Sequence, residues 1–324
     1  MKDMTMRELA KLANVSLSTV SKAFSDAEDI HEETKQHVFN IAKEYGCFRQ
    51  FYKGRFAKPV IAIILPELES ADYNEYAVKL QQLIRESGGI ALICSDDYEG
   101  SCQEELIDYY VSYINVDGMF VFELKSPLKK GYDIPVVSMF SSCGNVTDSI
   151  EVDDETYARE IVNYLSSLGH KRVAVIGEDF TAERAEAFQK VSADTDQTGY
   201  WFYYSKYRAK EAVEDCVEQI LSAKIRPTAI VCEYDYMAVG LIQHLNKKGY
   251  DVPKDFSVMA RCYTNISRYT DYALTTADFN LDDVCGLAWD LMQKKLDNRY
   301  YSLNQRIVIN CRLVIGETTA PPAE

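Results

Sequence analysis

The fold of the N-terminal region is decided by the stretch Val15-Ser16-Leu17-Ser18-Thr19-Val20-Ser21-Lys22. Ser16 is a favourable helix N-cap, and Val20 stands four residues before Phe24, so both apolar side chains lie on one face of a helix. When such a helix enters the major groove of DNA, its first turn faces the base edges and its hydroxyl groups reach phosphate oxygens. The stretch therefore predicts the second helix of a helix-turn-helix.

Short helices are predicted on both sides of this stretch. Thr5-Met6-Arg7-Glu8 has the form of a capping box, so we expect a helix to begin at Met6. After an acidic loop, His31-Glu32-Glu33-Thr34 opens a third helix, and Gly46 ends it. We therefore expect residues 1–46 to form a small all-α head.

The side chains on and around this predicted helix suggest two kinds of DNA contact, one with base edges and one with phosphates. Leu17, Ser18 and Lys22 lie on one face of the predicted helix, where Leu17 suits a thymine methyl group and Lys22 suits guanine O6 and N7. The hydroxyl groups suited to phosphate oxygens belong to Thr5, Ser16, Thr19 and Ser21. The alternative is that these hydroxyl groups only cap and cover a small helical bundle.

Charge separates the head from the rest of the chain. The net charge is −15, yet residues 1–58 hold ten Lys and Arg against eight Asp and Glu. A basic head on an acidic body lets DNA phosphates attract one end of the molecule and repel the other. The distribution fits a DNA-binding head with a separate body.

From Val60 onwards, short apolar runs alternate with helical stretches. The runs predicted as strands are Val60–Leu65, Ile90–Cys94, Gly118–Phe122, Ile134–Met139, Arg172–Gly177, Thr228–Cys232 and Phe256–Ala260. This alternation is typical of doubly wound parallel sheets. Because about 260 residues are more than a single hydrophobic core usually holds, we expect an α/β body of two lobes. A ligand-binding cleft is expected at the carboxyl ends of the strands.

Several classes of protein are disfavoured. The nine cysteines form no CxxC pair and the four histidines do not stand at zinc-ligand spacing, so neither a metal nor another cofactor is expected. No nucleotide-binding glycine loop, nucleophile elbow or HExxH motif is present, so an enzyme is not expected. The start lacks a signal peptide and no apolar run is long enough to span a bilayer, which favours a cytoplasmic protein without a membrane partner.

Residues 4–22 closely resemble the head of the lactose-repressor (LacI) family of transcriptional regulators. The resemblance continues in the same order along nearly the whole chain, through Glu32-Glu33-Thr34, Tyr45-Gly46, Ile150–Asp154, Leu168–Gly177, Arg226–Ile230, Met237–Gly240, Val252–Asp255, Leu274–Thr276 and the tail from Glu317. It implies a repressor, without enzyme activity, whose homodimer places two heads on a near-palindromic double-stranded operator. It also implies a body like a periplasmic sugar-binding protein.

The resemblance divides the chain into a head at 1–46, a linker at 47–59 and an effector-binding and dimerisation domain at 60–324. Lobe 1 would comprise about 60–155 plus 285–316, and lobe 2 about 156–284. A small molecule, expected to be a sugar, sugar phosphate or sugar acid, would bind in the cleft and change the spacing of the heads. The alternative is a degenerate cleft, with control by a partner protein.

The linker departs from the family pattern. In the family it folds on DNA and inserts a leucine into the minor groove, but the usual Pro-Asn and Ala-Arg-x-Leu elements are absent from Cys47–Phe56. Phe48, Phe51 and Tyr52 stand at i, i+3 and i+4, the spacing of one helical face. Aromatic side chains can also wedge between base steps, so Phe51 is a candidate minor-groove contact. The basic residues expected to support it are Arg49, Lys53 and Arg55. The alternative is a linker that only packs against the body.

The cleft departs from the family as well. Asp153, Arg184 and Asp235 match family positions that face the ligand. The usual Gly-Phe-Asp-Asp-like turn is replaced by Ala260-Arg261-Cys262-Tyr263, and Asp278-Phe279 replaces a polar pair. The candidate effector contacts are therefore Asp153, Arg184, Asp235, Arg261, Tyr263 and Phe279. Arg261 would suit an anionic ligand, whereas an unliganded cleft is the alternative.

Overall fold

The structure is a computed structural model that describes residues 4–25, 27, 29–52, 58–128, 132–141, 147–193, 199–206, 209–262, 264–297 and 303–323. Three predicted site residues, Lys53, Arg55 and Tyr263, lie outside the described residues. The backbone divides into two compact units, and each is described by itself. The first comprises Met1–Leu68, Leu80–Ser149 and Ala288–Gln305; the second comprises Glu69–Lys79, Ile150–Leu287 and Arg306–Glu324.

The N-terminal part of the first unit is a small all-α head. Its helices are α1 (Met6–Leu12), α2 (Leu17–Phe24), α3 (Glu32–Glu44) and the short α4 (Phe48–Phe51). The capping box of Thr5 and Glu8 starts α1, and the Ser16 side chain caps α2 by accepting from the Thr19 amide at 3.0 Å. Asn14, with φ of +52°, turns the chain between these two helices. The helix-turn-helix is confirmed, and α4 lies in the predicted linker, where the aromatic residues have helical spacing.

Two six-stranded sheets form the rest of the fold. The first contains β1 (Val60–Leu65), β2 (Ile90–Ser95), β3 (Gly118–Phe122), β4 (Val136–Met139), β5 (Asp148–Val152) and β11 (Arg306–Ile309). Its strand order is β11-β5-β4-β3-β1-β2, with β1 parallel to both β2 and β3. The side chains of Ile61 to Leu65 on β1 are completely buried, which explains their unbroken apolar sequence.

The second sheet lies entirely in the second unit. It contains β6 (Arg172–Glu178), β7 (Gly199–Ser205), β8 (Ala229–Cys232), β9 (Ser257–Arg261), β10 (Thr275–Asp278) and β12 (Arg312–Val314). Its order is β12-β10-β9-β8-β6-β7, and the pairings are parallel except that of β12 with β10. Because the carboxyl ends of parallel strands meet at one edge, the residues that end β6 to β10 are brought together.

Helices connect most of these strands, as the sequence predicted. They are α5 (Ala71–Glu86), α6 (Gly100–Tyr109), α7 (Asp154–Ser167), α8 (Ala185–Ala193), α9 (Ala209–Ser222), α10 (Asp235–Lys247) and α11 (Leu281–Asp297). No helix in the described ranges is long and apolar enough to cross a membrane. The expected fold class, a helix-turn-helix head with an α/β two-sheet body, is confirmed.

A buried histidine ties the C-terminal tail to the second sheet. The His170 ring nitrogens lie 2.9 Å from Thr228 Oγ1, 3.0 Å from Ser257 Oγ and 2.9 Å from the Ala320 carbonyl oxygen. Burial lowers the pKa of His170, since charging the ring would cost solvation, and the Ala320 carbonyl offsets part of this. The tail is thereby fixed by a neutral imidazole.

Candidate nucleic-acid interface and effector site

The predicted base-reading residues lie together on the outer face of α2. Ser18 and Lys22 are exposed, and 42% of Leu17 is exposed. Val20 and Phe24, on the opposite face, are buried in the core of the head. The helix is therefore held by its inner face and leaves its first turn available for DNA.

The predicted phosphate-binding hydroxyl groups also have local structural roles. Ser16 Oγ lies 2.7 Å from both Ser18 Oγ and Thr19 Oγ1, besides capping α2. Thr5 Oγ1 donates to Glu8 Oε2 at 2.8 Å within the capping box. A hydroxyl group has one donor and two acceptor sites, so capping and phosphate binding are compatible for Ser16. Ser21 is exposed on the same surface.

An ion pair that sequence reasoning missed engages Lys22. Its ammonium group donates to the carboxylate of Asp29, and both side chains are largely exposed. The Lys22 hydrogen bond lowers the pKa of Asp29. Because solvent and salt screen an exposed pair, a DNA phosphate or base can replace Asp29 as the partner of Lys22.

The aromatic residues of the predicted linker pack against the head. The ring centroid of Phe51 lies 5.6 Å from that of Phe24, and the Phe48 ring lies 5.0 Å from Phe39 in an edge-on geometry. Tyr52 stacks on Phe48 at 5.0 Å. The alternative considered from the sequence placed this segment against the body, whereas α4 adds it to the core of the head. Insertion of Phe51 into DNA stays a prediction, and it would require this cluster to open.

Arg49, a predicted DNA contact, is held by residues of the first unit. Its guanidinium group donates to the carbonyl oxygen of Asn115 and to the carboxylate of Asp117. The same carboxylate accepts from the amide of Val60, the first residue of β1, at 2.7 Å. Asp117 thus joins α4 to the start of the sheet, and Arg49 would have to leave it to reach a phosphate.

On the second unit, Arg261 is enclosed. Its guanidinium lies 4.8 Å from the ring centroid of Tyr157 and 5.1 Å from that of Phe279, and Nη1 lies 3.2 Å from Asp154 Oδ1. Only 7% of its side chain is exposed. The predicted effector contacts Arg261 and Phe279 therefore lie together. They contact each other, and Asp154 forms an ion pair with the guanidinium group of Arg261.

Arg184 is paired with a carboxylate that the sequence analysis did not single out. Its Nη1 lies 3.6 Å from Oε2 of Glu233, the residue that follows β8 and is 1% exposed. Burial raises the pKa of Glu233, and Arg184 offsets part of the rise. A position directly after a buried parallel strand is the signal that would have pointed to Glu233.

The two predicted aspartates hold local structure. Asp153 caps α7 by accepting from the Glu155 and Thr156 amides, both at 3.1 Å, and the hydrogen bond from the Thr156 hydroxyl lowers its pKa. Asp235 Oδ2 accepts from the Thr264 amide at 2.7 Å and from its hydroxyl at 2.8 Å. It also accepts from Ser267 Oγ at 2.8 Å. Asp235 is buried and anchors the turn after β9.

A small cavity, with room for about one water molecule, lies at the carboxyl ends of β9 and β10, wholly within the second unit. Its lining residues are Asp72, Glu75, Tyr76, Cys262, Thr264, Asp278, Phe279 and Leu281. Among the predicted effector contacts, Phe279 lines it. Cys262 adopts φ of +68°, a left-handed conformation that costs a residue with a side chain, so the turn at this position is strained.

Two family profiles match the chain, one over the helical head and one over most of the α/β body. One, described as "Bacterial regulatory proteins, lacI family", matches residues 5–48, and the other, described as "Periplasmic binding protein-like domain", matches residues 162–319. The head of the chain therefore matches the LacI family of bacterial regulators, and most of the body matches the periplasmic binding protein-like domain. The chain is a DNA-binding regulator and not an enzyme.

Two transcriptional repressors and one solved structure match the chain along most of their length. The HTH-type transcriptional repressor CytR of Escherichia coli is 24% identical, over 98% of this chain and 97% of its own. The repressor PurR of Mannheimia succiniciproducens is also 24% identical, over 84% and 86%. The solved lac repressor dimer, bound to operator and an anti-inducer, shares the fold with a TM-score of 0.71 at 18% identity, over 98% of this chain and 100% of that one.

Proposed function

We propose that this chain is a repressor of the LacI family that binds a near-palindromic operator as a homodimer, one α2 in each half-site, under the control of a small molecule. The observation that carries the proposal is the exposed outer face of α2, on which Leu17, Ser18 and Lys22 point away from a closed helical core. The matched relatives CytR and PurR are repressors. The domain boundaries at residues 46 and 59 and the division into lobes are part of this proposal.

The homodimer is supported by the shared fold of the lac repressor, which was solved as a dimer bound to operator. A two-fold axis lets the same surface serve both chains. The cytoplasm is the compartment where such a regulator meets DNA.

The small-molecule site is the cavity at the carboxyl ends of β9 and β10. Rings at Tyr76 and Phe279 and polar groups at Asp72 and Thr264 line it. Because its present volume suits about one water molecule, a sugar requires this site to open. A LacI-family regulator of Enterococcus faecium with bound ribose has the same fold, with a TM-score of 0.69 at 17% identity over 81% of this chain and 99% of that one. A sugar or sugar derivative is the proposed effector class.

Selection from a random double-stranded DNA library tests the DNA-binding part. The purified chain is expected to enrich one near-palindromic sequence with half-sites about one helical turn apart, bound by two chains. Sedimentation of the protein with the selected duplex would give that stoichiometry. Failure to enrich any sequence, or one chain per site, would contradict the proposed operator dimer.

A further inference from the structure

At the surface of α2 that is proposed to read DNA, Lys22 forms an ion pair with Asp29, and the inference from this pair rests on that proposed function. Asp29 follows Lys22 by seven residues and lies in the segment between α2 and α3. A carboxylate at this place opposes DNA binding, because it repels the phosphates that the surface must approach. A role for Asp29 in choosing the partner of Lys22 would account for its position.

The backbone on both sides of Asp29 holds its carboxylate next to Lys22. The Ser25 and Ala27 amides donate to the Lys22 carbonyl oxygen at 3.3 and 3.4 Å, so the chain turns back over the end of α2. On the other side of Asp29, Ile30 packs against the core of the head. The carboxylate is therefore presented by a turn that is attached to the head at both ends.

The exposure of the pair points to a role in binding rather than in folding. The side chains of Lys22 and Asp29 are 46% and 64% exposed, and ion pairs in water contribute little to folding because water and salt screen them. An ammonium group has three donor hydrogens, and the hydrogen bond to Asp29 uses one of them. Lys22 can therefore keep Asp29 and donate to a second acceptor at the same time.

The two kinds of acceptor that DNA offers to Lys22 differ in charge. A phosphate is an anion, so at Lys22 it would place a second negative charge beside Asp29. Guanine O6 and N7 are neutral acceptors, which can share the ammonium group with Asp29 without that repulsion. A lysine without such a neighbour is a flexible point charge that also suits phosphates. The carboxylate of Asp29 thus favours a base edge over the DNA backbone.

We propose that Asp29 is a positioning residue that determines base specificity, because it directs the ammonium group of Lys22 to a guanine and away from phosphates. Its effect is measured by a discrimination ratio. This ratio is the affinity for the selected operator divided by the affinity for the operator changed at one base pair, the pair at which Lys22→Ala loses discrimination. A general loss of negative charge affects both DNAs alike, so it cancels in the ratio.

The test measures this ratio for the full chain by fluorescence anisotropy. Asp29→Asn keeps the side-chain size and removes the charge, so Lys22 should engage phosphates more readily and the ratio should fall about three- to tenfold. The affinity for unrelated DNA should rise about threefold per head, because a repelling charge is lost. Glu44→Gln is the matched control, since it removes an exposed carboxylate at the end of α3 and should leave the ratio unchanged.

A double variant shows whether Asp29 acts through Lys22. In a chain that already carries Lys22→Ala, no ammonium group remains to be directed, so Asp29→Asn should leave discrimination at every base pair as it is in Lys22→Ala alone. A purely structural role of Asp29 in the turn would instead lower discrimination in both backgrounds.

Three results would overturn the inference, and they are distinguishable. An unchanged ratio in Asp29→Asn would refute the direction of Lys22 by the carboxylate. A further loss of discrimination when Asp29→Asn is added to Lys22→Ala would refute action through Lys22. If Lys22→Ala itself keeps full discrimination at every base pair, base reading by α2 fails, and this inference fails with the proposed function.

Discussion

Replacing Phe51 with alanine separates the two roles open to the aromatic segment of α4. In the structure the half-buried Phe51 ring packs on Phe24 in the core of the head. Truncation of a fully buried phenylalanine costs about 3–5 kcal/mol, so about 2 kcal/mol is expected here. That loss would raise the unfolded population of the head about 30-fold.

Hydrogen exchange measured by mass spectrometry on α1, α2 and α3 is the assay, because both tryptophans, Trp201 and Trp289, lie outside the head and cannot report on it. Amide protection in these helices should fall about 30-fold in the free protein. Tyr45→Ala is the matched control, since half of that ring is exposed and the change should stay within about 0.5 kcal/mol. Unchanged protection in Phe51→Ala, together with lost operator affinity and lost DNA bending, would refute the packing role and favour insertion between base steps.

Two further predictions concern the other long-range contacts. Asp117→Asn removes the charge that holds Arg49, so exchange at the amides of residues 48–52 should rise several-fold, whereas Asp133→Asn, exposed in the same unit, should leave it unchanged. His170 is buried with a lowered pKa, so its contribution to stability is present above an unfolded-state pKa of about 6.5 and is lost as the pH falls below that value. Urea unfolding at pH 7 and pH 5 should show this loss, which His170→Gln should reduce; an equal loss in the variant would contradict the assignment.

Local signals in the sequence were sufficient to predict where the first two helices of the head begin. The Thr5 capping box and the Ser16 cap involve partners three residues away, so the beginnings of α1 and α2 could be predicted from neighbours alone. The apolar spacing of Phe48, Phe51 and Tyr52 also indicated one helical face. It could not show which surface covers that face, because the covering residues belong to other helices.

The effector site was predicted less well because its charges are paired across long separations. Arg261 and Asp154 are 107 residues apart, and Arg49 and Asp117 are 68 apart. A single sequence shows the cation but not the carboxylate that neutralises it. Arg261 therefore suggested an anionic ligand, whereas the structure pairs it with Asp154 and encloses it between the rings of Tyr157 and Phe279. The family resemblance identified the positions but not their partners.

The most direct test of the central claim, that the outer face of α2 reads base edges, is the operator affinity of Lys22→Ala measured by fluorescence anisotropy. The variant should lose about 1–3 kcal/mol, roughly 5- to 150-fold, on the selected operator and should no longer discriminate at one base pair of each half-site. Lys11→Ala removes the same charge from α1 and should weaken selected and unrelated DNA alike, with discrimination retained. Equal losses on both DNAs for Lys22→Ala, with discrimination unchanged, would contradict base reading by α2.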